Sequence, residues 1–115
     1  DRVRAARRPR ERVTDVVGEG VEVERLTGSL PWASLRVVRK IGQPGEVTER
    51  NPAAGECVFV CLAGMLRVTA DGSSHVLREG DSLQLRLDNG MRIETIGDEP
   101  SDAIALVSYE SPRTW

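Results

Sequence analysis

The sequence predicts an all-β domain, a jelly-roll sandwich or barrel with a short irregular or helical arm at its N-terminal end. Three observations predict it. Short β-favouring runs follow one another from residue 21 to residue 109, punctuated by Gly, Asp-Gly and Pro-Gly. Across the middle of the chain no apolar residues recur at i, i+3, i+4, the spacing a helix needs to bury a stripe. Aromatics make up only 3% of the chain, so the core rests on Val, Leu and Ile, which suits a small β-sandwich or barrel.

Residues 56–81, ECVFVCLAGMLRVTADGSSHVLREGD, organise the rest. Runs at 57–62, 65–69, 74–77 and 82–87 are broken by Gly64, Asp71-Gly72 and Glu79-Gly80-Asp81, a pattern that predicts consecutive antiparallel hairpins. Strand alternation puts Cys57, Phe59 and Cys61 on one face of the first run and Val58, Val60 and Leu62 on the other. Both faces are apolar, so this run is expected to be a central strand covered on both sides.

Taken in order, residues 1–18 are polar, contain Pro9 and end in Gly18, and are expected to be an Arg-rich arm or linker outside the core. The single folded domain is expected over 19–111, with 112–115 as a tail. VEVERL at 21–26 alternates apolar and charged residues, as an edge strand with one wet face does. TGSLPWAS is a loop whose Trp32 is expected to cap one end of the barrel. LRVVRKI at 35–41 is a strand with Leu35, Val37 and Ile41 on one side and Arg39 interrupting that side. Gln43-Pro44-Gly45 turns the chain into a short strand at 46–50, and NPAAG leads to the central run. After Gly80-Asp81, Leu83, Leu85 and Leu87 point inward with a period of two. Asp88-Asn89-Gly90 is a tight turn. Met91, Ile93 and Thr95 share a face of the next strand, and 102–109 is the closing strand.

At 115 residues the chain is one domain, large enough to bury roughly two thirds of its unfolded surface without disulfides or structural metal. Its two cysteines lie four residues apart on one predicted strand, roughly 13 Å, whereas a disulfide needs Cα atoms within about 7 Å. They read as buried thiols in a reducing compartment. No apolar run approaches a membrane span of about 20 residues, so the expected location is the cytoplasm. Residues 1–12 hold six arginines. Setting those aside from the sixteen basic residues, and Asp1 and Glu11 from the eighteen acidic ones, leaves ten against sixteen, an acidic body of net charge −6. A basic arm on an acidic body fits either nucleic-acid contact or a solvated linker. It lacks the interleaved aromatics of a nucleic-acid surface, which favours the linker.

The string GECVFVCLAGMLRVTADGSSHVLREGDSL, continued by LDNGMRIETIGDEP, resembles the core of the cupin fold, in which a strand ends in a glycine, a hairpin follows, and a Gly-Asp-Ser turn leads onward. The rhythm resembles more narrowly the C-terminal sensor domain of helix-turn-helix (XRE-type) transcription regulators, over roughly residues 21–110. Most catalytic cupins hold a metal through paired histidines, a glutamate and a later histidine. Here the glutamate position matches Cys57, the paired histidines fall on or near Asn51 and Ala53, the later histidine matches Met91, and the asparagine that often follows matches Thr95. The one histidine, His75, lies in a hairpin away from these positions. The expectation is therefore no metal, no cofactor and no catalytic residue.

What the resemblance leaves is a cup of soft apolar side chains. Cys57, Phe59, Cys61, Leu83, Leu85, Met91 and Ile93 would converge on it, with Asn51 and Thr95 as polar points near the mouth and Arg39 to grip an acidic ligand. The same residues would equally serve a solid core. The expected function is a metal-free module that senses an unidentified small molecule and dimerises, part of a bacterial transcription regulator. It would reach DNA only through a helix-turn-helix unit not present in this chain, and would not touch a membrane. The rivals are a cofactor-free cupin enzyme of isomerase or cyclase type, using Glu49, Glu94 or Tyr109, and a ligandless structural dimerisation module.

Overall fold

The computed structural model describes residues 13–16, 21–26 and 34–109. These form ten strands and, among the described residues, no helix: β1 (Val13–Val16), β2 (Val21–Arg25), β3 (Leu35–Gly42), β4 (Val47–Arg50), β5 (Gly55–Ala63), β6 (Met65–Ala70), β7 (Ser73–Leu77), β8 (Ser82–Arg86), β9 (Met91–Ile96) and β10 (Ser101–Tyr109). The Arg-rich segment 1–12, Trp32 and the tail 112–115 lie outside the described residues.

Two antiparallel sheets face each other, the jelly-roll sandwich the sequence predicts. One has the strand order β1-β2-β3-β10-β5-β8 and the other β4-β9-β6-β7. The predicted run of consecutive hairpins holds only for β6 and β7, which pair from Leu66↔Leu77 to Ala70↔Ser73. β5 and β6 lie in different sheets, as do β7 and β8, and β8 and β9. The punctuating turns mostly carry the chain across the sandwich, because a jelly roll pairs strands distant in sequence. Thus β10 inserts between β3 and β5. Gly64 makes one crossing at φ 74, where a Cβ would stand 2.3 Å from the Pro100 carbonyl oxygen.

Two further expectations are corrected at the N-terminal edge. Residues 13–16, expected to belong to an arm outside the core, form a strand paired with β2 through Val13↔Arg25 to Val16↔Glu22. β2 is consequently an interior strand, and β1 takes the sheet edge.

The core lies between the inner faces. β5 turns in Cys57, Phe59 and Cys61; β10 turns in Ala103, Ala105 and Val107; β9 turns in Met91 and Ile93; β6 contributes Leu66 and Val68. β5 is central within its sheet but is covered fully on one face only. Val58 and Val60 on its other face are half-buried, and Leu62 is 40% exposed. Leu83 and Leu85 on β8 are partly buried against the core, and Leu87 is fully buried. His75 sits exposed on β7 opposite Val68.

Candidate functional site

The sandwich is not packed solid. β10 places small side chains at mid-sheet, Ala103 and Ala105, where bulkier residues would meet the opposite sheet. Beside them a cavity of about 300 Å³ opens to one side. Its apolar wall is Val38 on β3, Cys57 and Phe59 on β5, Met91 and Ile93 on β9, and Ala105 and Val107 on β10. Arg36 and Lys40 on β3 and Thr48, Glu49 and Arg50 on β4 supply its polar groups.

The register of β3 decides which cation enters. Arg36, Val38, Lys40 and Gly42 share a face by alternation, and that face looks into the cup. Arg39 faces away. It forms a bidentate pair with Asp102 on β10, Nε to Oδ1 at 2.9 Å and Nη2 to Oδ2 at 2.5 Å, beside a shallow hollow lined by Glu22, Glu24 and Ile41. Arg39, expected among the pocket residues, therefore lies on the outer face, and its neighbour Lys40 lines the cup instead. In a strand whose two faces carry similar mixtures of Val and basic residues, hydropathy does not choose the inner one, and an error of one residue exchanges them.

Lys40 is half-buried, and among the described residues neither a hydrogen bond nor an ion pair holds its ammonium group. Burial, and next the charge of Arg50, lower its pKa from 10.5 to about 8. Arg50 donates from Nη2 to the Tyr109 hydroxyl. Its guanidinium stands 5.7 Å from the Tyr109 ring centroid, with that of Arg36 at 5.8 Å. Glu49 is the one carboxylate lining the cavity; its side chain is 77% exposed and its nearest cation is Arg92, at 4.0 Å. The cup is thus apolar within and cationic in its polar groups.

Of the expected pocket residues, the structure brings Cys57, Phe59, Met91 and Ile93 to the cavity wall. Thr95 is buried deeper; its hydroxyl shares a 2.8 Å hydrogen bond with Ser101, in a small recess that Lys40 and Phe59 also line. Cys61 is buried with its thiol 3.5 Å from the Ala63 carbonyl, and Leu85 on β8 stands opposite Cys57 in the ladder, partly buried against the core; neither lines the cavity. Asn51 is exposed, in an open depression that shares Glu49, Arg50 and Met91 with the cup. Glu94 pairs with Arg67 at 3.1 Å on the outer face of β9. Sequence reading missed Lys40, Arg50 and Arg36. For Lys40 a signal was present, since it is the only lysine in a chain whose other fifteen basic residues are all arginine.

The donors present do not fit a transition metal. Burial pushes the Cys57 thiol up to about 11, so it is not a thiolate near neutrality. Met91 offers only a thioether, and the Lys40 and Arg50 charges would repel a cation. Among the described residues no three His, Cys, Asp or Glu side chains cluster. Nor is any described helix long and apolar enough to cross a membrane.

No protein-family model matches the sequence, and no curated protein matches it. Solved structures do resemble it. The cupin domain of an XRE-family transcriptional regulator from Enterobacter cloacae aligns with a TM-score of 0.70 at 21% identity, over 79% of this chain and 98% of that one. KdgF from a Halomonas species gives 0.74 at 18% identity, over 98% and 100% of the two chains. Hydroxypropylphosphonic acid epoxidase from S. wedmorenis gives 0.77 at 15% identity, over 91% of this chain and 59% of that one. At such identities the likeness is one of fold.

Proposed function

Because the chain has the cupin fold and its cup is lined by cations rather than metal ligands, we propose that it is an effector-binding domain for a small organic anion. The observation that carries this reading is Lys40, a half-buried ammonium in an apolar cavity with no carboxylate partner among the described residues. A cation kept from water without a counter-charge is costly, and a bound carboxylate or phosphate relieves that cost. The cavity volume is at the lower end of small-molecule sites. Arg50, held by Tyr109, is preorganised for a bidentate contact with the same anion.

In this reading the domain is the cytoplasmic sensor of a bacterial transcription regulator. The anion shifts the packing of two protomers and so moves DNA-binding heads carried outside this chain. The likeness to the cupin domain of an XRE-family regulator supports that context, as does the arginine-rich start of the sequence. The enzyme alternative needs an acid or base inside the cup. Of the groups expected for that role, Glu94 lies on the outer face, Glu49 is turned to solvent and the Tyr109 hydroxyl is engaged by Arg50, which leaves Lys40 as the group in the cup able to exchange a proton.

Thermal unfolding and titration calorimetry at neutral pH, with small mono- and dicarboxylates set against their amides, test this. The acids are expected to raise Tm and the amides not, with the shift lost in Lys40→Met. Equal stabilisation by the amides, or unchanged binding of acids by Lys40→Met, would overturn the reading. Sedimentation with and without the acid tests the dimer.

A further inference from the structure

We propose that Lys40 is a carbonyl-capturing residue: its amine condenses reversibly with the ketone of a 2-oxo acid in the cup while Arg50 holds the acid's carboxylate. This rests on the anion-binding reading and sharpens it to one ligand class.

The placement of the amine is the first argument. Fifteen arginines supply every other basic side chain of the sequence, and the single lysine lines the apolar-walled cavity of about 300 Å³. If only positive charge were used there, the residue chosen everywhere else would serve. What lysine adds is a nitrogen that can lose its proton and attack carbon, which guanidinium cannot do.

Its surroundings favour that chemistry. Arg50 from β4 and Cys57 from β5 are the ionisable groups that act on it, with Arg36 on its own strand and Glu49 at the solvent side of the cup. Burial and the Arg50 charge both loosen the ammonium proton, leaving a useful fraction of free amine near neutrality. The neighbouring nucleophile is silenced by the same burial, since the Cys57 thiol keeps its proton to about 11. An amine thus competes in the cup without a rival thiolate.

The step balances without any outside oxidant or reductant. The nitrogen lone pair of the neutral amine attacks the ketone carbon, and the C=O π electrons move to oxygen. Proton transfer from nitrogen to oxygen gives a carbinolamine. Protonation of its hydroxyl lets the C–O bond break and water leave, forming an iminium ion; readdition of water reverses the sequence. Amine, ketone and one proton become iminium and water. The Arg50 guanidinium offers paired N–H donors to the adjacent carboxylate.

The test is reductive trapping. The whole chain is incubated at neutral pH with pyruvate or 2-oxoglutarate and treated with borohydride, which converts an iminium into a stable secondary amine. Intact mass and peptide mapping then locate the adduct. The expected result is an adduct at Lys40 about tenfold or more above that in denatured chain, in line with the larger fraction of free amine; lactate gives none, and Lys40→Arg abolishes it while the fold is retained. Labelling at Lys40 no greater than in denatured chain would overturn the inference. Should lactate and pyruvate raise Tm equally with no adduct, the carbonyl step falls and anion binding stands. Should neither bind nor label, both fall.

Discussion

Arg39 and Asp102 close a two-bonded ion pair across β3 and β10 on the outer face of the large sheet, while Lys40, the next residue, turns into the cup. One strand therefore carries a satisfied cation and an unsatisfied one on opposite faces. The side chains of the outer pair are 39% and 22% exposed, so the pair is worth no more than about 1 kcal/mol. Arg39→Ala is expected to lower unfolding stability by that much or less and to leave anion binding unchanged. Urea titration and calorimetry check both; a large loss of affinity would mean that the cup depends on the outer pair.

The inner cation has the opposite sign of effect. The Lys40 pKa falls from 10.5 in the unfolded chain to about 8 in the fold. Between those values the unfolded chain binds more protons at this site, so the Lys40 contribution to stability rises with pH across that window, and below about 8 the full cost of the buried charge is present. Lys40→Met is expected to be more stable than the parent at pH 7 by up to about 3 kcal/mol, since the shift from 10.5 to about 8 is worth about 1.4 kcal/mol per pKa unit. That advantage should shrink toward pH 10.5. Denaturation of both proteins at the two pH values measures it, and Cys57, present in both, largely cancels. A constant difference between the proteins would contradict the assignment.

How much of this was legible beforehand follows from what each signal encodes. Period-two alternation placed Met91, Ile93 and Thr95 on one face of β9, and all three are buried. It placed Cys57, Phe59 and Cys61 on the inner face of β5 for the same reason. Alternation says which residues share a face but not which face is inner, and β3 shows the difference: the cup is entered by Lys40 rather than Arg39 because pairing with β10 sets the register. Pairing partners were illegible too. Gly64, Gly80 and Gly90 mark turns correctly, but a turn residue does not reveal whether the chain folds back in one sheet or crosses to the other. The ion pair of Arg39 joins positions 63 residues apart, a separation no local pattern encodes.

Cys57 offers a check on the dryness of the cup. It is fully buried, and its thiol is held protonated up to about 11. A maleimide or disulfide reagent at pH 8 is expected to leave it unmodified while the chain is folded and to label both free thiols in denaturant. Peptide mapping after timed labelling measures this. Fast modification of Cys57 in folded chain would mean that water and reagent enter freely, which would weaken the argument for a lowered Lys40 pKa as well.

Gly64 and Gly72 separate two costs that are often confused. Both are left-handed, at φ 74 and φ 76, so alanine at either meets the backbone penalty of roughly 1–2 kcal/mol. At Gly72, the tip of the β6–β7 hairpin, an added Cβ meets nothing within 4 Å. At Gly64 it would stand 2.3 Å from the Pro100 carbonyl oxygen and 2.9 Å from Ser101 Cα, both backbone atoms that no rotamer change can clear. Ser101 is also the hydroxyl partner of Thr95 in the buried recess beside the cup. Gly72→Ala is therefore expected to cost about 1–2 kcal/mol with ligand binding intact. Gly64→Ala should cost more, by about 1 kcal/mol or above, because the β9–β10 connection must move. Urea unfolding of the pair reads the difference directly. Equal losses would mean that the crossing at Gly64 relaxes freely, and that β5 and β10 are less firmly set against each other than the close approach at Pro100 implies.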